Sequence, residues 1–258
     1  MVVNKIAYDP EKYVSYKDYM FLASMINNRL SNMITFERFE QAIATEDPDM
    51  AARLIAEAGW PNMSGMSVDE INKVLSERQD RIYKEIEQVC PEDQVVQMMR
   101  LKYDYHNIKA IIKSDGAHEN ADTMLSSAGR YKRTDLREDY LNNDYRDLTP
   151  NMAETFREAR DMMAKLQNPR AVDLYIDQMY FKEMFELAYQ LESKVEPITP
   201  MMAEEPGEPY AVTFLRLYID SVNLRTCVRV VRMGKSQDFL KAMLIENGNY
   251  SPAQLAAA

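Results

Sequence analysis

The spacing of apolar residues along the chain is that of helices, and polar caps and prolines divide it into separate segments. The run Ser67-Val68-Asp69-Glu70 is a capping box, which predicts a helix from about residue 68 to Gln88. The pairs Asp47-Pro48, Thr149-Pro150 and Asn168-Pro169 each put a capping side chain directly before a proline, which predicts three more helix starts. Strict alternation of apolar and polar residues, the signal of a strand, is nearly absent. The sequence therefore predicts an all-α fold.

The last quarter of the chain has the same organisation. A long helix is predicted from near Pro209 to Gly234, and Ser236 is expected to cap a further helix that ends at Asn247-Gly248. Ser251-Pro252 predicts one more helix start. The long helix carries an apolar stripe at helical spacing, which we expect to pack against the core. Its members are Phe214, Leu217, Ser221, Leu224, Val228 and Val231.

Three segments are predicted to interrupt the helices. Cys90-Pro91-Glu92-Asp93 is expected to end one helix and begin the next, with the proline at the first helical position. The proline-rich segment Glu192–Glu208 is the clearest predicted loop. Ser114–Asn120 is a second predicted loop and the expected boundary between repeat units.

A polar pattern occurs twice in the chain, 116 residues apart. Leu101–Lys109 and Leu217–Arg225 both fit Leu-x-x-Asp-x-x-Asn-aliphatic-basic, and a second match follows each copy. In the second match Met124-Leu125, Gly129, Tyr131 and Leu136 correspond to Met243-Leu244, Gly248, Tyr250 and Leu255. A repeat at this spacing predicts copies of one supersecondary unit, an organisation that mostly serves binding and scaffolding. We expect one unit at residues 1–116 and another at 117–250, with 251–258 as a tail or the start of a third.

The motif places polar residues beside an apolar helix face. On a helical wheel Asp104 lies about 60° from the stripe through Leu101, Tyr105 and Ile108, and such a carboxylate is desolvated and needs partners. One interpretation is that the Asp and Asn side chains tie their helix to a neighbouring helix or loop of the same unit. The other is that they line a surface offered to a partner, and a catalytic role is the weakest interpretation. The candidate positions are Asp104, Asn107, Lys109, Asp220, Asn223 and Arg225.

The composition argues against several classes of partner and indicates a compartment. The formal net charge of −10 argues against nucleic acid as a main partner and against docking on anionic lipid headgroups. Only 7 of the 258 residues are glycine, which favours helices with short connections. The two cysteines form no Cys-x-x-Cys motif, so buried free thiols in a reducing compartment are expected. Without a signal-peptide pattern or an apolar run near ~18 residues, a cytoplasmic protein is expected.

The sequence contains few patterns of residues that indicate catalysis or the binding of a nucleotide or metal. There is no Gly-x-x-x-x-Gly-Lys-Ser/Thr sequence, so no direct ATP binding is expected, and no cofactor or metal site is predicted. An all-helical enzyme with an acidic site and a divalent metal would need pairs such as Glu-x-x-His on facing helices. The positions three residues before His106 and His118 hold Tyr103 and Asp115. This enzyme stays an alternative, behind a protein without catalysis of its own.

Three segments carry a resemblance to a known family. The runs Leu101–Ser114, Leu217–Gly234 and Asp177–Phe181 resemble the C-subunit family (the d subunit in eukaryotes) of V-type and archaeal-type rotary ATPases, and the likeness extends from about Tyr16 to Tyr250. The resemblance implies a non-catalytic central-stalk protein built from three similar helical units around a pseudo-threefold axis. It implies a funnel that accepts the tip of the rotor shaft, with its base on the membrane rotor ring.

The resemblance also implies partners and a place in the cell. The expected partners are the rotor shaft subunits and the membrane rotor ring, with the protein cytoplasmic and peripheral to the membrane through the complex. Two of the family's three units are expected here, so the sequence is that of either a fragment or a shortened member. Two units alone predict an incomplete funnel with an exposed apolar seam. Weaker binding of the shaft, or self-association, would follow. A generic helical scaffold for other proteins is the alternative within the same class.

Overall fold

The computed structural model describes residues 17–117, 121–122, 124–166, 168–192 and 210–257, and within these ranges the regular structure is entirely helical. The predicted all-α fold is therefore confirmed. The helices, in chain order, are α1 (Met20–Ser31), α2 (Phe36–Ala44), α3 (Pro48–Glu57), α4 (Val68–Val89), α5 (Asp93–Ala117), α6 (Arg133–Asn142), α7 (Pro150–Leu166), α8 (Pro169–Glu192), α9 (Tyr210–Arg232), α10 (Gln237–Met243) and α11 (Pro252–Ala257).

The helix starts follow the caps written in the sequence. At the start of α4 the Ser67 hydroxyl accepts from the Glu70 amide, and the Glu70 carboxylate accepts from the Ser67 amide at 2.8 Å, so the capping box is confirmed. The side chain of Ser236 likewise caps α10 by accepting from the Phe239 amide. Helices α3, α7, α8 and α11 each begin at the proline that follows the predicted cap.

Some predicted boundaries are wrong by a few residues. Helix α5 begins at Asp93, so Pro91 precedes the helix instead of occupying its first position. The same helix continues to Ala117, so Ser114–Ala117 is helical and not loop. Helix α10 ends at Met243, before Asn247-Gly248, because the backbone turns extended at Leu244. Of the predicted loop Glu192–Glu208, residues 193–208 lie outside the described residues.

Contacts divide the described chain into two compact units, one ending at Val96 and the other beginning at Gln97. The first unit holds α1 to α4 and the start of α5. Its core forms around Leu22, Ile86 and Val96, with α1 packed on α4. The repeat units expected at 1–116, 117–250 and 251–258 are a different division, based on sequence, and stay a prediction.

The second unit holds most of α5 and all later helices. Its main core is a single cluster contributed by α5 to α9, in which Leu101, Ile108, Phe156 and Ile176 are fully buried. A smaller cluster around Val230 joins α9 to α10 and α11. The motif stripe on α5 is thus confirmed as a core face, and the two motif helices, α5 and α9, both belong to this unit.

The apolar stripe on α9 does not pack against the core, contrary to prediction. Its five apolar members, Phe214, Leu217, Leu224, Val228 and Val231, are between 52% and 71% exposed. The reason is that α9 carries a second apolar set. Val212, Leu215 and Ile219 on that other face are fully buried, and α9 packs against α8, α10 and α11.

Two further expectations concern the thiols and the membrane. Cys90 and Cys227 are free, as predicted, but both are half-buried rather than buried. None of the helices in the described ranges has the length and apolar character needed to cross a bilayer.

Candidate functional site

The motif aspartate of α5 is fully buried and fastens the helix to the loop that follows it. Asp104 Oδ1 accepts from the backbone amide of Arg130 at 2.8 Å and from that of Tyr131 at 3.4 Å. Asp104 Oδ2 accepts from Arg130 Nε at 2.6 Å. A buried carboxylate with several donors is a satisfied one, so Asp104 acts here as a structural anchor.

The motif asparagine completes the attachment. Asn107 Nδ2 donates to the Ser126 carbonyl at 2.9 Å, and the Ser126 amide donates to Asn107 Oδ1 at 2.7 Å. One side-chain amide thereby satisfies both backbone groups of one loop residue. Since an unpaired buried backbone group is costly, this pair of bonds determines where the loop lies against α5.

The second copy of the motif makes the same contacts on α9. Asn223 Nδ2 donates to the Ile245 carbonyl at 2.8 Å, and the Ile245 amide donates to Asn223 Oδ1 at 2.9 Å. Asp220 accepts from the Tyr250 amide at 3.3 Å and from Asn249 Nδ2 at 2.8 Å. We call each arrangement an Asp–Asn clip: the first is Asp104 and Asn107 with residues 126–131, the second Asp220 and Asn223 with residues 245–250.

Glycine is required in both clips by close approach. A Cβ at Gly129 would lie 2.3 Å from Asp104 Oδ1, and one at Gly248 would lie 2.4 Å from Asp220 Oδ1. Such distances are far inside van der Waals contact, so any side chain would push the carboxylate away from the loop amides. The paired glycines of the sequence repeat are therefore explained by the clips.

The first clip has a charged extension, which has no counterpart at the second clip among the described residues. Arg130 Nη2 donates to Glu183 Oε1 at 2.8 Å, and Tyr105 donates its hydroxyl to Glu183 Oε2 at 2.8 Å. Burial raises the pKa of the Asp104 carboxyl, and Arg130 opposes this. Burial alone would lower the pKa of the Arg130 guanidinium, but the carboxylates of Asp104 and Glu183 raise it. Arg130 thus stays charged between two buried carboxylates.

The basic positions of the motif differ between the copies. Lys109 Nζ lies 2.6 Å from Asp177 Oδ1 on α8. Burial raises the pKa of Asp177, while Lys109 acts to lower it. Arg225 is exposed and, among the described residues, donates within its own helix, to the Ser221 carbonyl at 3.1 Å and hydroxyl at 3.2 Å.

The structure therefore separates the six candidate residues into two groups. Asp104, Asn107, Asp220 and Asn223 are used inside the chain, as the structural interpretation of the motif proposed. Lys109 and Arg225 lie at or near the surface, and contact of any of the six with a partner stays a prediction.

Sequence reasoning missed Arg130 and Glu183. A signal for Arg130 was present, since it lies between the matched residues Gly129 and Tyr131, at the position of Asn249 in the other copy. Glu183 lies 53 residues from Arg130 and gave no signal of its own.

Residues for metal chemistry are not grouped in the described part of the chain. Within it, no cluster of three or more His, Cys, Asp or Glu side chains could hold a metal ion. His106 is exposed, with Nε2 3.0 Å from the Met124 carbonyl oxygen, and His118 lies outside the described residues.

The sequence matches the family model described as "ATP synthase (C/AC39) subunit" across residues 22–258. The chain belongs to the ATP synthase (C/AC39) subunit family. The match covers both Asp–Asn clips and most of the first compact unit. Membership confirms the resemblance to the C-subunit family noted from the motifs.

A curated relative agrees with this family assignment, at low sequence identity. The chain is 20% identical to the C subunit of the V-type sodium ATPase of Enterococcus hirae over 233 residues, which is 90% of this chain and 66% of the relative. The chain thus spans about two thirds of the length of this family member.

Proposed function

We propose that this chain is a non-catalytic central-stalk subunit of a V/A-type rotary ATPase, a socket that couples the rotor shaft to the membrane rotor ring. The observation that carries the proposal is the family match over residues 22–258. The name of the Enterococcus hirae relative, the C subunit of a V-type sodium ATPase, agrees with it. On this proposal the chain is cytoplasmic and peripheral to the membrane through the complex.

The Asp–Asn clips support a mechanical role. A part that transmits torque has to keep its loops fixed relative to its helices under load. Each clip joins a helix to a loop through buried hydrogen bonds, which cost much free energy to break without replacement. The charged extension from Arg130 to Glu183 adds α8 to the first clip.

The basic residues of the motif are the ones that remain as a candidate interface. The Asp and Asn side chains have their hydrogen bonds filled inside the chain, so they have little left to offer a partner. We propose that Lys109 and Arg225 contribute to contact with the shaft or the ring.

Co-elution of the purified chain with the shaft subunits and with the membrane rotor ring tests the proposal. Binding to the shaft subunits is expected. Arg225→Glu should weaken it about tenfold, as expected when a charge pair at an interface becomes a like-charge contact. Arg146→Glu is the matched control, because Arg146 is also exposed and its ion pair in the described part of the chain is local, to Asp144.

Three outcomes would each contradict part of the proposal. Failure of a well-folded sample to bind either the shaft or the ring would remove the socket function. Stoichiometric metal in the purified chain would favour the alternative, an all-α enzyme with an acidic site. If Lys109→Glu lowers stability but the folded fraction binds as tightly as the parent chain, the ion pair between Lys109 and Asp177 serves only the fold.

A further inference from the structure

An arginine lies directly before the motif leucine in both copies, at Arg100 and Arg216. Arg100 is on α5, one helical turn before Asp104. Its Nε donates to the Ala128 carbonyl at 3.1 Å, and its Nη2 donates to the Gly129 carbonyl at 2.7 Å. Both carbonyls belong to the loop of the first clip, whose amides donate to Asp104. The side chains of α5 therefore hold this loop by its oxygens as well as by its amides.

Arg216 makes the corresponding contact in the second copy. Its Nη1 donates to the Asn247 carbonyl at 3.3 Å. Asn247 lies directly before the loop glycine, as Ala128 does in the first copy, so the two arginines contact the same position of their loops. The contact recurs although the loop residues differ, which makes it a feature of the clip and not of one loop.

The peptide group between Gly129 and Arg130 shows how the arginine and the aspartate act together. Its carbonyl accepts from Arg100 at 2.7 Å, and its amide donates to Asp104 at 2.8 Å. Because a trans peptide is planar and its C=O and N–H point in opposite directions, bonds at both ends fix the orientation of the plane. A cation at the oxygen and an anion at the N–H also match the dipole of the peptide group.

We infer that Arg100 and Arg216 are positioning residues, each of which orients its loop so that backbone amides after the glycine reach the aspartate one turn along the helix. The helix side of each Asp–Asn clip then reads Arg-Leu-x-x-Asp-x-x-Asn. Arginine suits the first position because its planar guanidinium can bind two neighbouring carbonyls in a fixed geometry, which a lysine ammonium cannot. The inference concerns the two loops alone and does not depend on which protein the chain binds.

A simpler interpretation is that the arginines only supply donors to buried carbonyls. Ala128 is fully buried, so its carbonyl needs a donor in any case. The two interpretations differ in what happens at the aspartate. If the arginine only satisfies a carbonyl, its loss leaves the bonds between loop amides and aspartate in place. If it positions the loop, those bonds open as well.

Hydrogen exchange of the full chain, read by mass spectrometry, separates the two interpretations. Arg100→Lys keeps the charge and loses the paired bonds. The amides of Arg130 and Tyr131, which donate to Asp104, should then exchange about tenfold faster or more, as expected for the loss of a hydrogen bond from a charged group. Amides in the middle of α7 should keep their exchange rates.

The second copy gives a parallel measurement. Arg216→Lys should speed exchange of the Tyr250 amide, which donates to Asp220, by a smaller factor because the bond from Arg216 is longer. Arg157→Lys is the matched control for both variants. It is the same substitution at an exposed helical arginine, whose guanidinium lies over the ring of Tyr145, and it should leave exchange in both loops unchanged.

A double variant adds a second readout. Arg216 and Asp220 hold the same loop, so the loss of either should already release it. In Arg216→Lys with Asp220→Asn, exchange of the loop amides should therefore rise by less than the product of the two single increases. A product of full size would mean that the two side chains act independently, and it would overturn the inference.

Other results would also overturn it. Unchanged exchange at the amides that donate to the aspartates, in folded variants, would leave the arginines as carbonyl donors only. Equal acceleration in the loops and in α7 would show a general loss of stability in place of positioning. If Arg100→Lys does not fold, Arg216→Lys decides the result by itself.

Discussion

At the residue scale, the four Asp and Asn side chains of the two clips could have lined an interface, and instead they hold loops of their own chain in place. An aspartate beside an apolar stripe can face either a partner or its own loop, and the sequence alone left both open. The contacts of Asp104 and Asp220 with loop amides show the internal use. The paired glycines, Gly129 and Gly248, were the signal for it, because glycine is needed where a carboxylate lies almost on the backbone.

Replacing one of these glycines should open a clip. We expect Gly248→Ala to lower the free energy of unfolding by about 2–3 kcal/mol, since the new methyl group displaces the Asp220 carboxylate. Gly116→Ala is the control, because the three heavy atoms nearest to its Cβ would all belong to the flexible Met163 side chain, the first at 3.2 Å. Urea unfolding followed by circular dichroism measures both. Equal stability of Gly248→Ala and the parent chain would show that the clip bends to accept a side chain.

At the scale of elements, helix starts could be predicted well and buried faces less well. Caps and prolines act on adjacent residues, so Ser67, Ser236 and Pro150 mark α4, α10 and α7 through local bonding alone. The buried face of α9 depends on which neighbours pack on it. Because α9 is apolar on two faces, periodicity could not decide between Leu217 and Leu215. The end of α10 also depends on a distant residue, Asn223, which holds both backbone groups of Ile245.

The capping box of α4 gives a prediction confined to the first compact unit. Ser67→Ala should lower the free energy of unfolding by about 1 kcal/mol, because the Glu70 amide loses its acceptor. The hydrogen bonds from Ser67 lower the pKa of Glu70. The stabilisation that this carboxylate gives the folded state is therefore present above the ordinary pKa of Glu, and it is lost as the pH falls.

Amide hydrogen exchange locates the loss from Ser67→Ala, which should appear in α4 and leave α7 unchanged. Thr134→Ala is the control, at an exposed residue whose side chain donates to its neighbour Asp135. Faster exchange spread evenly over both units would contradict the prediction.

At the scale of the whole molecule, both units bury tyrosine hydroxyls, and this sets the response to alkaline pH. Burial raises the pKa of Tyr140 from 10.0 to about 12, with its hydrogen bond to Asp115 acting in the same direction. Burial also raises the pKa of Tyr175 to about 12. The same cause raises the pKa of Tyr19 in the first unit. The folded chain therefore keeps protons that the unfolded chain releases.

We expect the free energy of unfolding to fall as the pH rises from about 10 to about 12, because there the unfolded state binds fewer protons than the folded state. Urea unfolding at several pH values measures the slope. The double variant Tyr140→Phe and Tyr175→Phe should make the fall less steep, whatever its effect near neutrality. An unchanged slope in that variant would show that these two hydroxyls titrate normally in the folded chain.

How far the clips depend on particular amino acids can be read from the two copies themselves. Asn107 binds the backbone of a serine and Asn223 the backbone of an isoleucine, so the bonds recognise peptide groups and ignore the side chain attached to them. Asp and Asn on the helix and glycine in the loop are common to both copies, whereas the loop residue that Asn binds differs between them. A contact of this kind tolerates a change of loop side chain, because the peptide N–H and C=O that it binds are the same in every residue except proline.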